Sequence, residues 1–305
     1  MKKLLMILFI SFLLVACTPK KETADLLGSD GLSITIGRTP SELYVGQGLQ
    51  IPVELENVGT ATVKNAVLAV DGYTQDVIKF TSPTRIEGIN LEGKSQFVSR
   101  GERTTKFFTI GSIVLPNNQD RKETFNILAC YQYQTQASPV VCINPQLALG
   151  LAEVPSGCTF VDAQISPSQG APVAVTKVET YYVADKQEVE FRIFIKDVSG
   201  KGVLVNSLAY AKRCLSPDPL TKDDFDSISM EAYLGGQKLE CSVPGKTEST
   251  DTFTLSPVDT ADSIRCHASY DTREQAYTSI LSVYLSYGYI QGKEFSITLK
   301  NPLSK

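Results

Sequence analysis

Short stretches of strict alternation dominate the chain. Ile51, Val53 and Leu55 alternate with Pro52, Glu54 and Glu56; Val189, Phe191, Ile193 and Ile195 alternate with Glu190, Arg192 and Lys196; Phe295, Ile297 and Leu299 alternate with Ser296, Thr298 and Lys300. Period two with one apolar face predicts half-buried strands. Turn-forming residues separate them, as in Asn57-Val58-Gly59, Ser199-Gly200, Gly235-Gly236 and Gln291-Gly292. No stretch after the first thirty residues carries the period of a long amphipathic helix, and only Thr221 to Asp226 suggests a single helical turn. Many strands, regular turns and little helix predict an all-β protein built of β-sandwiches.

The pattern repeats. IPVELENVG (Ile51–Gly59) is matched by FRIFIKDVSG (Phe191–Gly200), and TFNILACYQYQT around Cys130 is matched by ADSIRCHASYDT around Cys266. Two landmarks in the same order, at similar offsets, predict two copies of one sandwich, 31–150 and 151–305. The boundary is expected near Gly150, in a stretch with two prolines and two glycines.

The chain begins differently. Lys2 and Lys3 precede an almost unbroken apolar run from Leu4 to Ala16, and Cys17 follows. A charged start and a run this long fit a secretory signal peptide over 1–16 and are short for a membrane span, which needs about 20 apolar residues. Leu14-Val15-Ala16-Cys17 resembles the lipobox of bacterial and some archaeal lipoproteins. The resemblance implies that Cys17 becomes a lipidated N-terminus and that 17–30, polar and aperiodic, is a tether to the extracytoplasmic face of a cell membrane. The alternating strand that ends in Asn-Val-Gly at Leu32 to about Leu68 resembles the CARDB type of immunoglobulin-like module of prokaryotic surface proteins. Ala171 to about Leu208 resembles it more loosely, since Asp197 and Ser199 stand where the first copy has Asn and Gly. Together these resemblances imply a surface lipoprotein with two tandem immunoglobulin-like sandwiches.

Composition fits export and folding. Hydrophobic residues make up 42% of the chain and charged residues 20%, enough for a packed core. The net charge of −4 becomes about −6 without Lys2 and Lys3, and no basic cluster is present, which argues against a nucleic-acid partner. Six cysteines remain besides Cys17, and an even number in an exported chain predicts disulfides. Reading Thr124–Ile143 as a hairpin with its turn at Thr135–Ala137 places Cys130 opposite Cys142, within disulfide reach. By parity that bridge lies on the outer face of its sheet, because Ile127, Ala129, Tyr131 and Tyr133 share the apolar face. Cys266 shares the apolar face of its own strand, as Cys241 does, so these two are expected to pair in the core. Cys158 and Cys214 pair by elimination.

Candidate chemistry is sparse. The single histidine, His267, is expected on an outer face; no nucleophile elbow, phosphate loop or dinucleotide fingerprint occurs. Asp223, Asp224 and Asp226 cluster, but without the spacing of a calcium loop, and are read as solvated. No metal site and no cofactor are expected. Tyr287 and Tyr289 share a core face with Leu281, Val283 and Leu285, whereas Tyr284 lies on the other face with Ile280 and Ile290, an aromatic strip suited to a protein or sugar. The expected role is structural, adhesive or protein-binding, without catalysis, with a protein or envelope polymer as partner and the membrane engaged through the lipid. The alternative is a ligand-binding lipoprotein accessory to a transport or envelope-assembly complex.

Overall fold

The computed structural model describes residues 28–115, 119–146, 158, 161–183, 185–216, 220–243, 251–254, 263–270 and 275–301. The expected signal peptide, Cys17 and most of the tether lie outside the described residues, as does the expected boundary at Gly150. The protein is almost entirely antiparallel β. The first part contains β1 (Leu32–Ile36), β2 (Glu42–Tyr44), β3 (Leu49–Asn57), β4 (Val63–Asp71), β5 (Ile78–Phe80), β6 (Arg85–Leu91), β7 (Arg103–Ile113), β8 (Arg121–Ala137) and β9 (Val140–Ile143). The second contains β10 (Ala163–Gln164), β11 (Val173–Val183), β12 (Glu188–Asp197), β13 (Gly202–Val205), β14 (Ser227–Leu234), β15 (Gln237–Lys238), β16 (Glu240–Ser242), β17 (Thr252–Thr254), β18 (Ser263–Ser269) and β19 (Tyr277–Lys300). A four-residue helix, α1 (Lys212–Leu215), and a 3-10 turn at Lys222–Asp224 interrupt them.

A small sheet, β1-β3-β7-β5, belongs to the first part and another, β10-β11-β12-β18-β16, to the second; a large sheet of order β15-β14-β19-β8-β4-β6 contains strands of both. The spine of the large sheet is one ladder. β19 pairs with β8 from Leu299↔Arg121 to Val283↔Ala137, and with β9 from Ile280↔Val140 to Tyr277↔Ile143. The register is the same on both sides of Ser138-Pro139, so β8 and β9 are one long strand with a break at a proline. Pro139 keeps the ladder intact there, because its carbonyl accepts from Leu281 N at 2.9 Å. A proline lacks the N–H that a ladder needs but retains the acceptor.

The halves relate to each other about the centre of this ladder, where Gln132 faces Gly288. Tyr131 faces Tyr289 and Tyr133 faces Tyr287, and all four rings are buried, with centroids 5.9–6.4 Å apart. Their hydroxyls meet matching partners. Tyr131 donates to Gln291 Oε1 at 3.3 Å, and Tyr287 lies 2.8 Å from Thr135 Oγ1. Gln291 in turn donates to the Leu32 carbonyl of β1 at 2.8 Å, and Thr135 to the Val173 carbonyl of β11 at 2.6 Å. β1 of one small sheet and β11 of the other are thereby each tied to the long strand of the opposite half. The inward side chains of all three sheets form one continuous apolar cluster that includes Ile51, Leu55, Phe125, Phe191, Leu281 and Leu285.

The Asn57/Asp197 landmark of the repeat corresponds to matching turns. β3 ends with Gly59 N donating to Asn57 Oδ1 at 3.1 Å, and β12 ends with Ser199 N and Gly200 N donating to Asp197 Oδ1 at 3.0 and 3.2 Å. The Cys130/Cys266 landmark does not correspond. Cys266 lies on β18, which pairs with β12 as β7 pairs with β3; the counterpart of β8 is β19. β4, beside β8, has its counterpart in β13 and β14, which lie one after the other along the same edge of β19. The described residues between them, 206–216 and 220–226, leave the sheet. The base of this excursion is closed by Asn206 N donating to Asp224 O and Asp226 N to Leu204 O. In β4 the same place carries only a bulge at Asn65, with φ 49°.

The disulfides correct two of the three expected pairs. Cys130 is bonded to Cys214 and Cys142 to Cys158, with Cα separations of 6.1 and 5.7 Å. The expected Cys130–Cys142 and Cys158–Cys214 pairs do not form. Chain 124–143 makes no hairpin but runs straight along β19, so twelve residues of strand hold Cys130 and Cys142 about 40 Å apart, against a disulfide reach of about 7 Å. The expected face was correct: Cys130 points away from the tyrosines, out of the large sheet. Cys241–Cys266 forms as expected, between register partners of β16 and β18 in the core.

Candidate binding face

Parity along the central ladder sorts its residues cleanly. Tyr131, Tyr133, Thr135, Ala137 and Val141 point inward and are buried. The alternate residues of the same strand form an outward row: Cys130, Gln132, Gln134, Gln136, Ser138, Val140 and Cys142. Its neighbours on β19 are Ile290, Gly288, Ser286, Tyr284, Ser282, Ile280 and Thr278. A disulfide closes each end of this row.

At the Cys130 end the excursion 206–226 folds over the sheet. Cys214 on α1, Tyr210 and Val205 cover Val67, Leu128, Cys130 and Ile290 in a second apolar cluster on the outer face. Tyr210 OH donates to the Asn65 carbonyl at 3.0 Å, and Arg85 Nε to the Cys214 carbonyl at 2.7 Å, so the excursion of the second half is fastened to the first. Ile290, expected in an exposed strip, is therefore covered. Gly288 makes this approach possible, since a Cβ there would stand 2.5 Å from Tyr210 Cβ and 2.8 Å from the Asn206 carbonyl.

Between the disulfides the face stays open. Tyr284 is 41% exposed, Ile280 54% and Val140 62%. Tyr284 meets Tyr233 of β14 edge to face, with centroids 5.9 Å apart. Next to this apolar end lies a groove of about 200 Å³ lined by Thr62, Lys64, Gln132, Gln134, Ser207 and Ser286. Its amides are held by neighbours: Gln132 Nε2 donates to the Ser207 carbonyl at 2.9 Å and Gln134 Nε2 to Ser286 Oγ at 3.2 Å. Tyr287 and Tyr289 are core residues, as their parity predicts. The three glutamines were missed as a site because the hairpin reading put Gln136 in the turn and ended the row at Gln134. The alternation of Tyr with Gln inside CYQYQTQASPVVC was the available signal.

The other candidates have structural roles. Asp224 accepts from Lys212 Nζ at 2.8 Å and from Thr221 N and Oγ1, and these bonds hold its carboxyl down to about 2. Asp226 adopts φ 53°, and burial, with Asp197 nearby, pushes its carboxyl above the ordinary range. The acidic cluster is thus dispersed into the base of the excursion. No group of three potential metal ligands converges among the described residues. His267 lies on the outer face of the five-stranded sheet, 3.8 Å from Glu188 and 3.9 Å from Glu190, with Arg192 Nε 2.6 Å from Glu190. His267 is the cross-strand register partner of Glu190, whereas Arg192 reaches Glu190 along the same strand. A smaller cavity of about 100 Å³ beside α1 holds Arg85, Arg213 and Asp71, the last two paired at 2.8 Å.

No protein-family model and no curated protein matches the chain. Among solved structures, a DUF4466 family protein from Parabacteroides merdae aligns at 8% identity over 85% of this chain and 99% of that one, with a TM-score of 0.17. A likeness of that size carries no argument about this chain.

Proposed function

We propose that the protein is a lipid-anchored binding protein on the extracytoplasmic face of a prokaryotic cell membrane. In this reading two immunoglobulin-like sandwiches of the CARDB type, joined edge to edge, present the face between Cys130 and Cys142 to a protein or envelope polymer, without catalysis. Three disulfides suit an oxidising compartment. The apolar run ending at Cys17 supplies the export signal and the anchor, and two or three acyl chains, at about 0.8 kcal/mol per buried CH₂, hold a protein firmly. The observation that carries the binding role is the open face itself. Exposed Tyr284, Ile280 and Val140 adjoin amides already fixed by hydrogen bonds, and both ends of the row are locked covalently. Rigid positioning of this kind lowers the entropic cost of association.

Two variants test the reading. Cys17→Ser should move the protein from the membrane to the soluble fraction of the expressing cells; unchanged retention would remove the anchor from the proposal. Tyr284→Ala should reduce capture of envelope material by the purified protein without altering its disulfides. Equal capture by both proteins would remove the face.

A further inference from the structure

The open face has the chemistry of a polysaccharide site, and we propose that an extended, uncharged glycan chain binds along it; this deepens the reading above and rests on it. From Gln132 to Val140 the open row runs over about eight residue steps of strand, about 26 Å, longer than a single small ligand needs. One end is an apolar platform in which Tyr284 is braced by Tyr233. An aromatic ring of this sort packs against the C–H face of a sugar ring while its hydroxyl remains in water. The other end offers side-chain amides and hydroxyls, which can both donate to and accept from sugar hydroxyls. Gln132 and Gln134 are already oriented by Ser207 and Ser286, so little rotamer freedom remains to be lost on binding.

Charge selects against other ligands. At the aromatic end Lys238 is paired with Glu231 at 2.9 Å and Asp251 at 3.4 Å, and Tyr233 OH donates to Glu231. Among the described residues, Lys64 is the one charged side chain lining the groove. Neither a polyanion nor a charged peptide finds a matching row of counter-charges. A peptide added to a sheet uses the main-chain groups of an edge strand, whereas the site offers side chains on the face of central strands.

Affinity electrophoresis of the oxidised full chain in detergent micelles, through gels containing dextran, a mannan or a β-glucan, tests the proposal. At least one polymer should retard the protein. Tyr284→Ala and Gln134→Ala should each weaken that retardation roughly tenfold, while Phe107→Ala, on the outer face of the four-stranded sheet and 47% exposed, should leave it unchanged. Peptide mapping of the three disulfides verifies that each variant is folded. In the wild-type protein labelled for NMR, the side-chain amide signals of Gln132, Gln134 and Gln136 should shift with the polymer. Failure of all three polymers to retard the chain, or equal retardation of wild type and Tyr284→Ala, overturns the glycan assignment. If the polymers fail and Tyr284→Ala still loses an envelope protein, the glycan falls and the binding role stands. If Cys17→Ser stays in the membrane, the anchor falls whatever the polymers do.

Discussion

Cys130 and Cys142 lie twelve residues apart on one straight strand, point out of the same face, and are bonded to different partners. The Cys130–Cys214 bond closes 84 residues and fastens the excursion of one half to the sheet of the other; Cys142–Cys158 closes 16. On loop entropy alone the first contributes about 4.6 kcal/mol and the second about 3. Replacing Cys130 and Cys214 together by Ser should therefore lower the melting temperature more than replacing Cys142 and Cys158. It should also open residues 206–216 to proteolysis, because Leu128 and Ile290 lose their cover. Non-reducing peptide mapping checks the pairs directly. A Cys130–Cys142 peptide, or a larger loss from the shorter loop, would contradict the structure.

The two halves end their matching strands with different residues, and the difference has a cause. Asn57 is fully buried, and its Nδ2 donates to the carbonyls of Ala61 and Leu91, both at 2.8 Å. Asp197 accepts only, from Ser199 N, Gly200 N and the Tyr289 hydroxyl. Asn57→Asp would turn a carboxylate towards two carbonyl oxygens and should cost about 3 kcal/mol or more. Asp197→Asn keeps an acceptor at each bond and should cost about 1 kcal/mol or less. Urea unfolding of the two variants distinguishes them; equal losses would mean that the turns are not the determinant.

Period-two alternation identified β3, β12 and the end of β19 directly, because each buries one face, and the same parity placed Cys241 and Cys266 together in the core and Cys130 on an outer face. It could not show which strand lies beside which. Tyr131 and Tyr133 look identical in a hairpin and in a straight ladder, and Thr135 to Ala137 contains neither Gly nor Pro to force a turn. The ladder partner of β8 lies more than 140 residues away, at a distance where local pattern carries no information. The candidate face was legible only in part for the same reason. Tyr284 and Ile280 were visible as an exposed pair, but the glutamine row becomes a row only once β8 is straight. The 206–226 excursion left no periodic trace, since its hold on the sheet comes from one disulfide, a few apolar contacts and scattered polar ones such as Tyr210 to Asn65 and Arg85 to Cys214.

Gly288 provides a direct probe of that hold. It faces Gln132 at the centre of the ladder, and the Asn206–Tyr210 loop passes over it. Gly288→Ala would set a methyl group 2.5 Å from Tyr210 Cβ and 2.8 Å from a backbone carbonyl, so the loop must lift. Overpacking of this kind costs about 1–3 kcal/mol. Faster exchange of the amides of 206–216, with the β8–β19 ladder still protected, is the expected signature. An unchanged exchange pattern would show that the loop does not rest on the strand.

The response to pH should differ on the two sides of neutrality. On the acid side, Asp224 is held down to about 2 by Lys212 and the Thr221 turn. A carboxyl lowered in the folded state stabilises it above its ordinary value of 3.8 and loses that contribution as pH falls from there towards 2. The loss is local to the base of the excursion, so acid should loosen 206–226 while the sheets persist. On the alkaline side, burial raises the hydroxyls of Tyr131, Tyr133, Tyr287 and Tyr289 above 10.0, with neighbouring tyrosines adding to the rise for Tyr131 and Tyr287. A group raised in the folded state stabilises it below its unfolded value, and that stability drains away as pH climbs above it. Ionising these phenols means placing charge at the junction of the two halves, so they should titrate only in the step that unfolds the ladder. Tyrosinate absorbance and far-ultraviolet circular dichroism, followed together above pH 10.0, should show the late phenols ionising in step with the loss of strand signal. Full ionisation of all tyrosines with the strand signal intact would place the four rings in contact with water and contradict the packing at the centre of the protein.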